Sequence, residues 1–503
     1  MRNADFLSFW RKFLLNITVS GQATISRQYI VENKYNLHAC RPSLLQKLAC
    51  KCVQYFKFDE LSMTESDSIL DPPETVRGMR ILDRSLFKKT VSIPGLAVPH
   101  KSVTKLTKSL KNEILRFRSI QPVVDLNVQD KLSKSHKLVL FNPFKIKTVD
   151  DFNEKQKCIL ENLEAEIESF CLYNFDMKYE NWSHAEVIKA VLPKEFETVA
   201  GFAIVGHIAH LNLRDGTEDY KQLIGQVILD KHKLIKTVVN KMKSIETEFR
   251  NFQMELLAGE NNYTTTVKEH GCTFTFDFSK VYWNTKLSTE HNRVVSQMQV
   301  DDVAFDVFAG VGPFAVPCGK MGITVFANDL NPDSYESLKL NVVRNKANKL
   351  DNVQCYNMDG RDFIKQIFFK EMERRWSDPL NKGNVHVLMN LPALAVEFLD
   401  SFVGLFIQTT SRPSDLSCMP FIHCYYFSKS DDVEKDTKEA VERVLGCTLG
   451  DELEIRQVRN VAPGKEMMCI KFRIPESVLF GNIKDTDGDG PAAKKICYHH
   501  NYE

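Results

Sequence analysis

From about residue 286 onward the sequence alternates short apolar runs with stretches of helical spacing, and this alternation restricts the fold more than any other feature. Apolar runs predict strands at 304–308, 323–327, 352–356, 385–389 and 422–427. A helix-like stretch follows each run, and repeated strand–helix units predict an α/β fold with a doubly wound, mostly parallel sheet. Two last strands, 454–458 and 467–474, have no helix between them and predict an antiparallel edge.

The residues before 286 follow other patterns. A strand of alternating apolar and polar residues at 273–278, with helices near 184–192 and 219–244, predicts a middle α+β domain over 166–285. We take 70–165 as a separate N-terminal domain. A Rossmann-type domain is then expected over 286–478, and the polar, turn-rich residues 479–503 are expected to form a flexible tail.

Composition excludes several classes of protein. The 503 residues carry 66 Lys and Arg against 65 Asp and Glu, so the net charge of +1 gives no general affinity for nucleic acid. Any nucleic-acid surface must therefore be local. The sequence contains no apolar run of about 18 residues, the length that would predict a membrane span. We therefore expect no membrane partner. The 13 cysteines include no Cys-x-x-Cys pair, which argues against a disulfide framework or a zinc site, and we expect no metal.

Basic charge is concentrated in two segments. Residues 1–58 hold nine Lys or Arg against two acids, and their amphipathic opening is typical of a mitochondrial transit peptide; the alternative is a disordered extension. Residues 100–147 hold eleven basic residues against three acids. Helical spacing places the lysines at 101, 105, 108 and 111 on one face. That face is either a surface that tracks phosphates or simply a solvated side of the domain.

A glycine motif follows the first strand of the predicted sheet. Asp306 ends that strand, and Gly310 and Gly312 then let the backbone approach a ligand closely because neither has a Cβ. With Ala315 the motif formally matches the Gly-x-Gly-x-x-Gly/Ala pattern of dinucleotide sites, which by itself is weak support for NAD. The other strand ends must decide between cofactors.

Polar residues end the next three strands as well. Asp329 follows the second strand and suits a ribose, Asp359-Gly360 follows the third and suits an adenine amino group, and Asn390-Leu-Pro392 follows the fourth. This layout is that of S-adenosyl-L-methionine in class I methyltransferases, whereas an NAD enzyme has no need of the last two. Each residue taken singly is equally well explained as a helix cap. The first proline and the aromatic residue of adenine N6 methyltransferases are missing, which suggests a ring nitrogen as the target.

The motifs together resemble the eukaryotic and archaeal tRNA (guanine-37-N1)-methyltransferase family, over about residues 75–475. The stretches that carry the resemblance are 206–214, 282–284 with 288–291, 308–314, 328–332, 390–392, 423–429 and 459–463. The resemblance implies a class I methyltransferase domain preceded by domains that bind the outer corner of tRNA and the region of the anticodon loop. We expect a monomer in the mitochondrial matrix, with the cytoplasm and nucleus as additional sites.

The resemblance also implies roles for single residues. Glu290 matches the general base, Arg250 matches the residue that steadies charge on the guanine, and Asn390 belongs to the catalytic set. The matches to cofactor contacts are His291, Asp306, Gly310, Gly312, Asp329, Leu330, Asp359, Gly360, Asn390 and Pro392.

The chemistry of guanine agrees with such a set. Its N1 carries a proton at neutral pH, so a carboxylate must remove that proton before N1 can attack a methyl group. Three alternatives stay open at this point. They are the aminocarboxypropyl transferase of wybutosine synthesis, an NAD-dependent oxidoreductase, and an RNA-binding protein without catalytic activity.

Overall fold

The computed structural model describes residues 69–117, 119–196, 201–241, 253–349, 351–378, 383–413, 415–450 and 452–481. These residues belong to one compact unit that begins at Ile69. The proposed targeting segment 1–58, most of the predicted tail and Arg250 lie outside the described residues.

The first sheet is antiparallel and has the strand order β2-β3-β1-β4. Its strands are β1 (Lys89–Pro99), β2 (Val123–Asp125), β3 (His136–Leu140) and β4 (Glu166–Met177), with helices α1 (Val103–Ser109) and α2 (Glu154–Asn162). Because β4 pairs with β1 from Lys89 opposite Met177 to Ala97 opposite Glu166, the expected boundary between 165 and 166 is wrong. The N-terminal domain continues to Met177.

A second sheet of four strands follows, in the order β5-β6-β7-β8. It consists of β5 (Ala203–Val205), β6 (Ile208–Leu211), β7 (Thr237–Lys241) and β8 (Met254–Gly259), with helices α3 (His184–Val191) and α4 (Lys221–Lys231). The helix expected over 219–244 stops at Lys231, because the β-branched residues from Thr237 onward form β7 instead. Leu140 of the first sheet and Leu211 of the second share one hydrophobic core.

A hairpin of β9 (Thr264–Glu269) and β10 (Cys272–Asp277) comes next, followed by helix α5 (Ser288–Val295). Phe274 and Phe276 of β10 are buried in the core of the C-terminal sheet, which Val205, Ile208 and Val239 of the second sheet also join. The expected boundary between 285 and 286 is therefore also wrong. The C-terminal domain begins with this hairpin.

The C-terminal sheet has seven strands in the order β13-β12-β11-β14-β15-β17-β16. The strands are β11 (Val303–Asp306), β12 (Thr324–Asn328), β13 (Val353–Tyr356), β14 (Val385–Met389), β15 (Phe421–Ser428), β16 (Leu453–Ala462) and β17 (Lys465–Arg473). The strands from β13 to β15 are parallel, and β17 and β16 are antiparallel. The predicted doubly wound sheet with an antiparallel edge is confirmed.

Helices cover both faces of this sheet. They are α6 (Ala315–Lys320), α7 (Pro332–Arg344), α8 (Gly360–Phe363), α9 (Phe369–Trp376), α10 (Val433–Leu445) and α11 (Glu476–Phe480), with a π-helix at Ile364–Phe368 and a 3₁₀ helix at Glu397–Phe402. Leu388 and Tyr425 face one core, and their neighbours Val387 and Cys424 face the other, as alternation along a strand requires.

The far end of the domain corrects one further expectation. Helix α11 continues to Phe480, and Leu479 and Phe480 are buried in the core, so these residues do not belong to a flexible tail. Among the helices of the described residues, none is long and apolar enough to cross a membrane.

Candidate active site at the carboxyl ends of the parallel strands

The glycine turn after β11 has the backbone that its sequence predicts. Gly310 and Gly312 have φ angles of 54° and 98°, in the region that side chains rarely adopt. A Cβ on Gly312 would come within 2.7 Å of Leu338 and 2.8 Å of Val316, whereas no atom lies within 4 Å of the position of a Cβ on Gly310. Gly312 is thus needed for packing, and Gly310 leaves open space beside the turn.

Asp306, the last residue of β11, is fully buried at the base of this turn. Within the described residues no side chain donates a hydrogen bond to its carboxyl oxygens, and the backbone N–H of Phe308 is the group that favours its charged form. Burial, and then the nearby carboxylate of Asp329, raise the pKa of Asp306 well above its ordinary value. A buried acid with no charged or polar side chain as its partner is costly unless a ligand supplies one.

Asp329 follows β12 and faces the same turn. Its Oδ2 accepts a hydrogen bond from the Gly310 N–H at 2.8 Å, and its Oδ1 accepts one from the Asn331 N–H at 3.0 Å. Burial raises the pKa of Asp329, and these two hydrogen bonds oppose that effect. The next residue, Leu330, is 43% exposed, so an apolar side chain lies beside the acid at the rim of the site.

After β13, Asp359 caps a helix and Gly360 lies close to two aromatic rings. Asp359 caps α8, because its Oδ1 accepts a hydrogen bond from the Arg361 N–H at 2.8 Å. A Cβ on Gly360 would lie 3.0 Å from ring atoms of both Phe308 and Phe398. The cap explanation thus holds for Asp359, which still lies at the same edge of the sheet as Asp329.

Asn390 and Pro392 follow β14 and are half-buried. The carbonyl oxygen of Pro392 accepts a hydrogen bond from the Phe427 N–H at 3.1 Å, which ties this segment to β15. Pro392 also lines a cleft with Tyr426, Phe427, Lys429, Asp436 and Lys465. The Lys465 ammonium lies 4.3 Å from the centre of the Phe427 ring. The cleft that begins at Pro392, two residues after Asn390, therefore offers two lysines, one acid and an aromatic surface.

His291 lies behind the glycine turn. It is buried, its Nδ1 is 2.7 Å from Oε1 of Glu269, and its ring packs edge-on against Phe314, with the centroids 4.8 Å apart. Through these contacts, His291 supports the glycine turn from the side of the β9–β10 hairpin.

Glu290 of α5 is buried, with 5% of its surface exposed, and three hydrogen bonds hold its carboxylate. Oε1 accepts from the Arg293 Nη2 at 2.7 Å and from the Tyr425 hydroxyl at 2.8 Å, and Oε2 accepts from the Arg293 Nε at 2.8 Å. Since Met389 pairs with Cys424, Asn390 and Tyr425 are the next residues along two neighbouring strands. Glu290 is thereby linked to the edge of the sheet where Asn390 lies.

The structure brings the strand-end residues together at one edge, while Arg250 lies outside the described residues. It also identifies supporting residues that the sequence analysis did not assign. Asn328 donates to the carbonyl oxygens of Val307 and Met358, and Asn341 donates to that of Val311. These two residues could have been found from the sequence, because asparagines stand in the 328–332 motif and in α7.

The basic face in the first domain is exposed. Lys101, Lys105 and Lys108, and the following Lys111, are all exposed, and Lys101 also pairs with Glu164 at 2.7 Å. Three of the four lysines that share this face in the sequence therefore have no acid paired with them in an ion pair among the residues that the structure describes.

Comparisons with known proteins support the assignment of this domain. Residues 265–411 match the TRM5/TYW2 methyltransferase domain, and residues 184–262 match the TYW2 N-terminal domain. The start of the first match agrees with the hairpin as the beginning of the C-terminal domain. The chain is similar in fold to the structure of Trm5b from Pyrococcus abyssi, with a TM-score of 0.52 and 25% identity over 76% of this chain and 98% of that one.

Named relatives cover most of the chain. The tRNA (guanine(37)-N(1))-methyltransferase of Xenopus tropicalis is 47% identical over 420 residues, which is 83% of each chain. The human protein of the same name is 44% identical over 432 residues, which is 85% of this chain and 83% of that protein. Similarity of this extent, together with the strand-end site described above, shows that the chain belongs to the tRNA (guanine(37)-N(1))-methyltransferase family.

Proposed function

We propose that the chain transfers a methyl group from S-adenosyl-L-methionine to N1 of guanosine 37 in tRNA. The observation that carries this proposal is the buried Asp306 carboxyl, which no side chain of the described residues pairs with and which lies beside the glycine turn near Asp329. A cation at this position would restore a favourable interaction, whereas the pyrophosphate of a dinucleotide would add negative charge to two acids. The site therefore favours a cofactor that carries an ammonium and a sulfonium group.

The residues present fit this cofactor. Asp329 would accept from ribose hydroxyls, with Leu330 beside it, and Gly360 leaves little room for any larger residue next to the rings of Phe308 and Phe398. When bound, S-adenosyl-L-methionine supplies a methyl group that the N1 electron pair takes, while the electrons of the broken C–S bond stay on sulfur.

The protein's own task is to manage the proton of N1. Glu290 accepts that proton, Arg250 steadies the negative charge that develops on the guanine, and Asn390 orients the base. These roles follow from the family resemblance. They are supported by the position of Glu290, which Tyr425 links to the strand next to Asn390.

The activity is tested with purified protein, S-adenosyl-L-methionine and tRNA transcripts that carry guanosine or adenosine at position 37. Primer extension should stop at position 37 of the guanosine transcript only, since a methyl group on N1 blocks base pairing. Mass spectrometry of the released nucleoside separates a methyl from an aminocarboxypropyl group. An aminocarboxypropyl product, or equal modification of both transcripts, would contradict the proposal.

Asp329→Ala is expected to weaken the binding of S-adenosyl-L-methionine by about 10–100-fold. The change removes hydrogen bonds to a charged acceptor, worth roughly 1.5–3 kcal/mol. It also removes the acceptor that holds the Gly310 N–H. Calorimetry measures the affinity, with Asp333→Ala as a control, since Asp333 is exposed and pairs with Lys280. Equal affinities of the two variants would reject the role of Asp329.

Two surfaces are proposed to contact tRNA. The cleft beside Asn390, with Lys429, Lys465 and Phe427, faces the anticodon loop, because it combines basic charge with an aromatic ring. The exposed lysines 105, 108 and 111 of the first domain contact the outer corner through phosphates. We propose that the protein acts as a monomer.

We propose that residues 1–58 direct the protein to the mitochondrial matrix and that a further fraction remains in the cytoplasm and nucleus. Their excess of basic residues supports this proposal. Deletion of 1–58 is expected to abolish import while the purified protein stays active. Fluorescence microscopy of tagged full-length and truncated chains measures import, and methylation assays measure activity. Import of the truncated chain, or its inactivity, would contradict this prediction.

A further inference from the structure

The three hydrogen bonds on Glu290 leave its two oxygens unequal. A carboxylate has about four acceptor positions, two on each oxygen. Oε1 uses both of its positions, for Arg293 Nη2 and the Tyr425 hydroxyl, whereas Oε2 uses one, for Arg293 Nε. Only Oε2 keeps an acceptor position in this arrangement.

We propose that Tyr425 and Arg293 are positioning residues that hold Glu290 with Oε2 directed at the reacting guanine, so that Oε2 takes the N1 proton. This inference rests on the proposed methyl transfer to N1. In that step the N1–H bond breaks, the proton forms an O–H bond with Oε2, and the electron pair of the broken bond remains on N1. Neither Tyr425 nor Arg293 gains or loses a proton.

The surroundings of Tyr425 fit a role in orientation. The side chain is fully buried, and burial raises the pKa of its hydroxyl well above the ordinary value, so the group stays a hydrogen-bond donor. Its ring lies in the core next to Phe314, with the centroids 6.5 Å apart. A rigid strand therefore fixes the donor that contacts Oε1.

Arg293 contributes a positive charge and further hydrogen bonds that fix the orientation of the Glu290 carboxylate. The hydrogen bonds to Glu290 raise the pKa of this guanidinium, so it remains a cation. Its planar fork contacts both carboxylate oxygens, which prevents rotation of the carboxylate. Among the described residues, the other ionisable groups near this pair are Cys469 of β17, 3.8 Å from Arg293 Nη2, Glu454 of β16, 3.6 Å from Arg293 Nη1, and the buried His423 of β15, on which the Arg293 charge acts.

Tyr425→Phe isolates the hydroxyl, because the ring that packs in the core remains. Loss of one hydrogen bond to a charged group should lower the single-turnover rate of methyl transfer by about tenfold. The pH–rate profile should also change, since the carboxylate that takes the N1 proton loses a hydrogen-bond donor. Affinities for S-adenosyl-L-methionine and tRNA should stay as in the wild type.

Tyr179→Phe is the matched control. It also removes a buried tyrosine hydroxyl that donates to a carboxylate, here Oδ2 of Asp230 at 3.0 Å, but it lies outside the catalytic domain. Arg293→Lys is the second test. It keeps the positive charge but loses the fork, and it should also slow the reaction while cofactor affinity is retained.

The experiment uses the full-length chain, a guanosine-37 tRNA transcript and S-adenosyl-L-methionine over a range of pH. A slow Tyr425→Phe enzyme with an altered pH–rate profile, beside a normal Tyr179→Phe enzyme, supports the proposal. A normal rate and pH profile for Tyr425→Phe overturns it, and so does a loss explained by weaker binding. If the wild type itself transfers no methyl group to N1, the proposed function fails together with this inference.

Discussion

Replacement of Glu290 by Gln is expected to slow single-turnover methyl transfer by about 10²–10⁴-fold. Gln has nearly the same shape, but its amide cannot accept the N1 proton at neutral pH. The amide oxygen can still accept from Tyr425 and from one arm of Arg293, so the buried side chain keeps two of its three contacts. Cofactor and tRNA affinities should therefore change little. Raising the pH should restore part of the rate, because solvent then removes the proton.

The control for this variant is Glu454→Gln. Glu454 is the second carboxylate near Arg293, at 3.6 Å, and it is half exposed. Both changes remove a negative charge beside the same guanidinium, but only one removes the proposed base. If Glu290→Gln transferred methyl at nearly the normal rate with the normal pH profile, Glu290 would not be the base. A fall in melting temperature and in both affinities would instead indicate a purely structural ion pair.

The protein is expected to lose stability steeply as the pH falls from 6.5 towards 4. His386 and His423 are buried in the sheet, with His386 Nδ1 3.1 Å from His423 Nε2. Burial lowers the pKa of His386 to about 4, although Asp302 near its Nε2 opposes this, and burial lowers that of His423 well below its ordinary value. Both rings therefore stay neutral in the folded protein.

The direction of the change in stability follows from the pH range over which the folded and the unfolded chain each bind protons on these rings. The unfolded chain takes up protons on these rings below about pH 6.5, and the folded chain does not, so folding is favoured fully above that pH and progressively less below it. For His386 alone the loss approaches about 3 kcal/mol at pH 4, at roughly 1.4 kcal/mol per pKa unit.

Thermal unfolding between pH 7.5 and 4.5 measures this loss. The double variant His386→Leu/His423→Leu should show a flatter dependence of melting temperature on pH than the wild type. His100→Gln, which changes an exposed histidine, should not. Parallel curves for the wild type and the double variant would show that acid lability arises elsewhere.

The catalytic sheet could be predicted because each of its strands gives a local signal in the sequence. Each parallel strand is buried on both faces and thus forms a continuous apolar run, and polar residues mark the points where strands end. Asp306, Asp329, Asp359 and Asn390 stand at such points, and the parallel topology brings them to one edge. The sequence alone was enough to expect this edge as the site.

Long-range pairing set the limit of prediction. Strand β4 pairs with β1 about 75 residues away, and no local signal tells which domain a strand will join. Arg293 lies three residues after Glu290 on the same helix, and side chains at this spacing can pair, so the sequence carried a local signal for this contact. Tyr425 lies 135 residues from Glu290, so its contact with the carboxylate emerged only from the fold.

The β9–β10 hairpin has a practical consequence for dissecting the molecule. Its first strand is attached to the middle domain, since the Thr265 hydroxyl donates to the Val205 carbonyl oxygen at 3.2 Å. Its second strand is attached to α7, where the amide oxygens of Asn345 and Asn341 accept from the backbone of Thr273 and Thr275. A catalytic fragment cut at 286 would leave its interior open where Phe274 and Phe276 belong. A fragment that starts just before Thr264 would keep the hairpin, but it would still expose the core residues that Val205, Ile208 and Val239 of the middle domain cover.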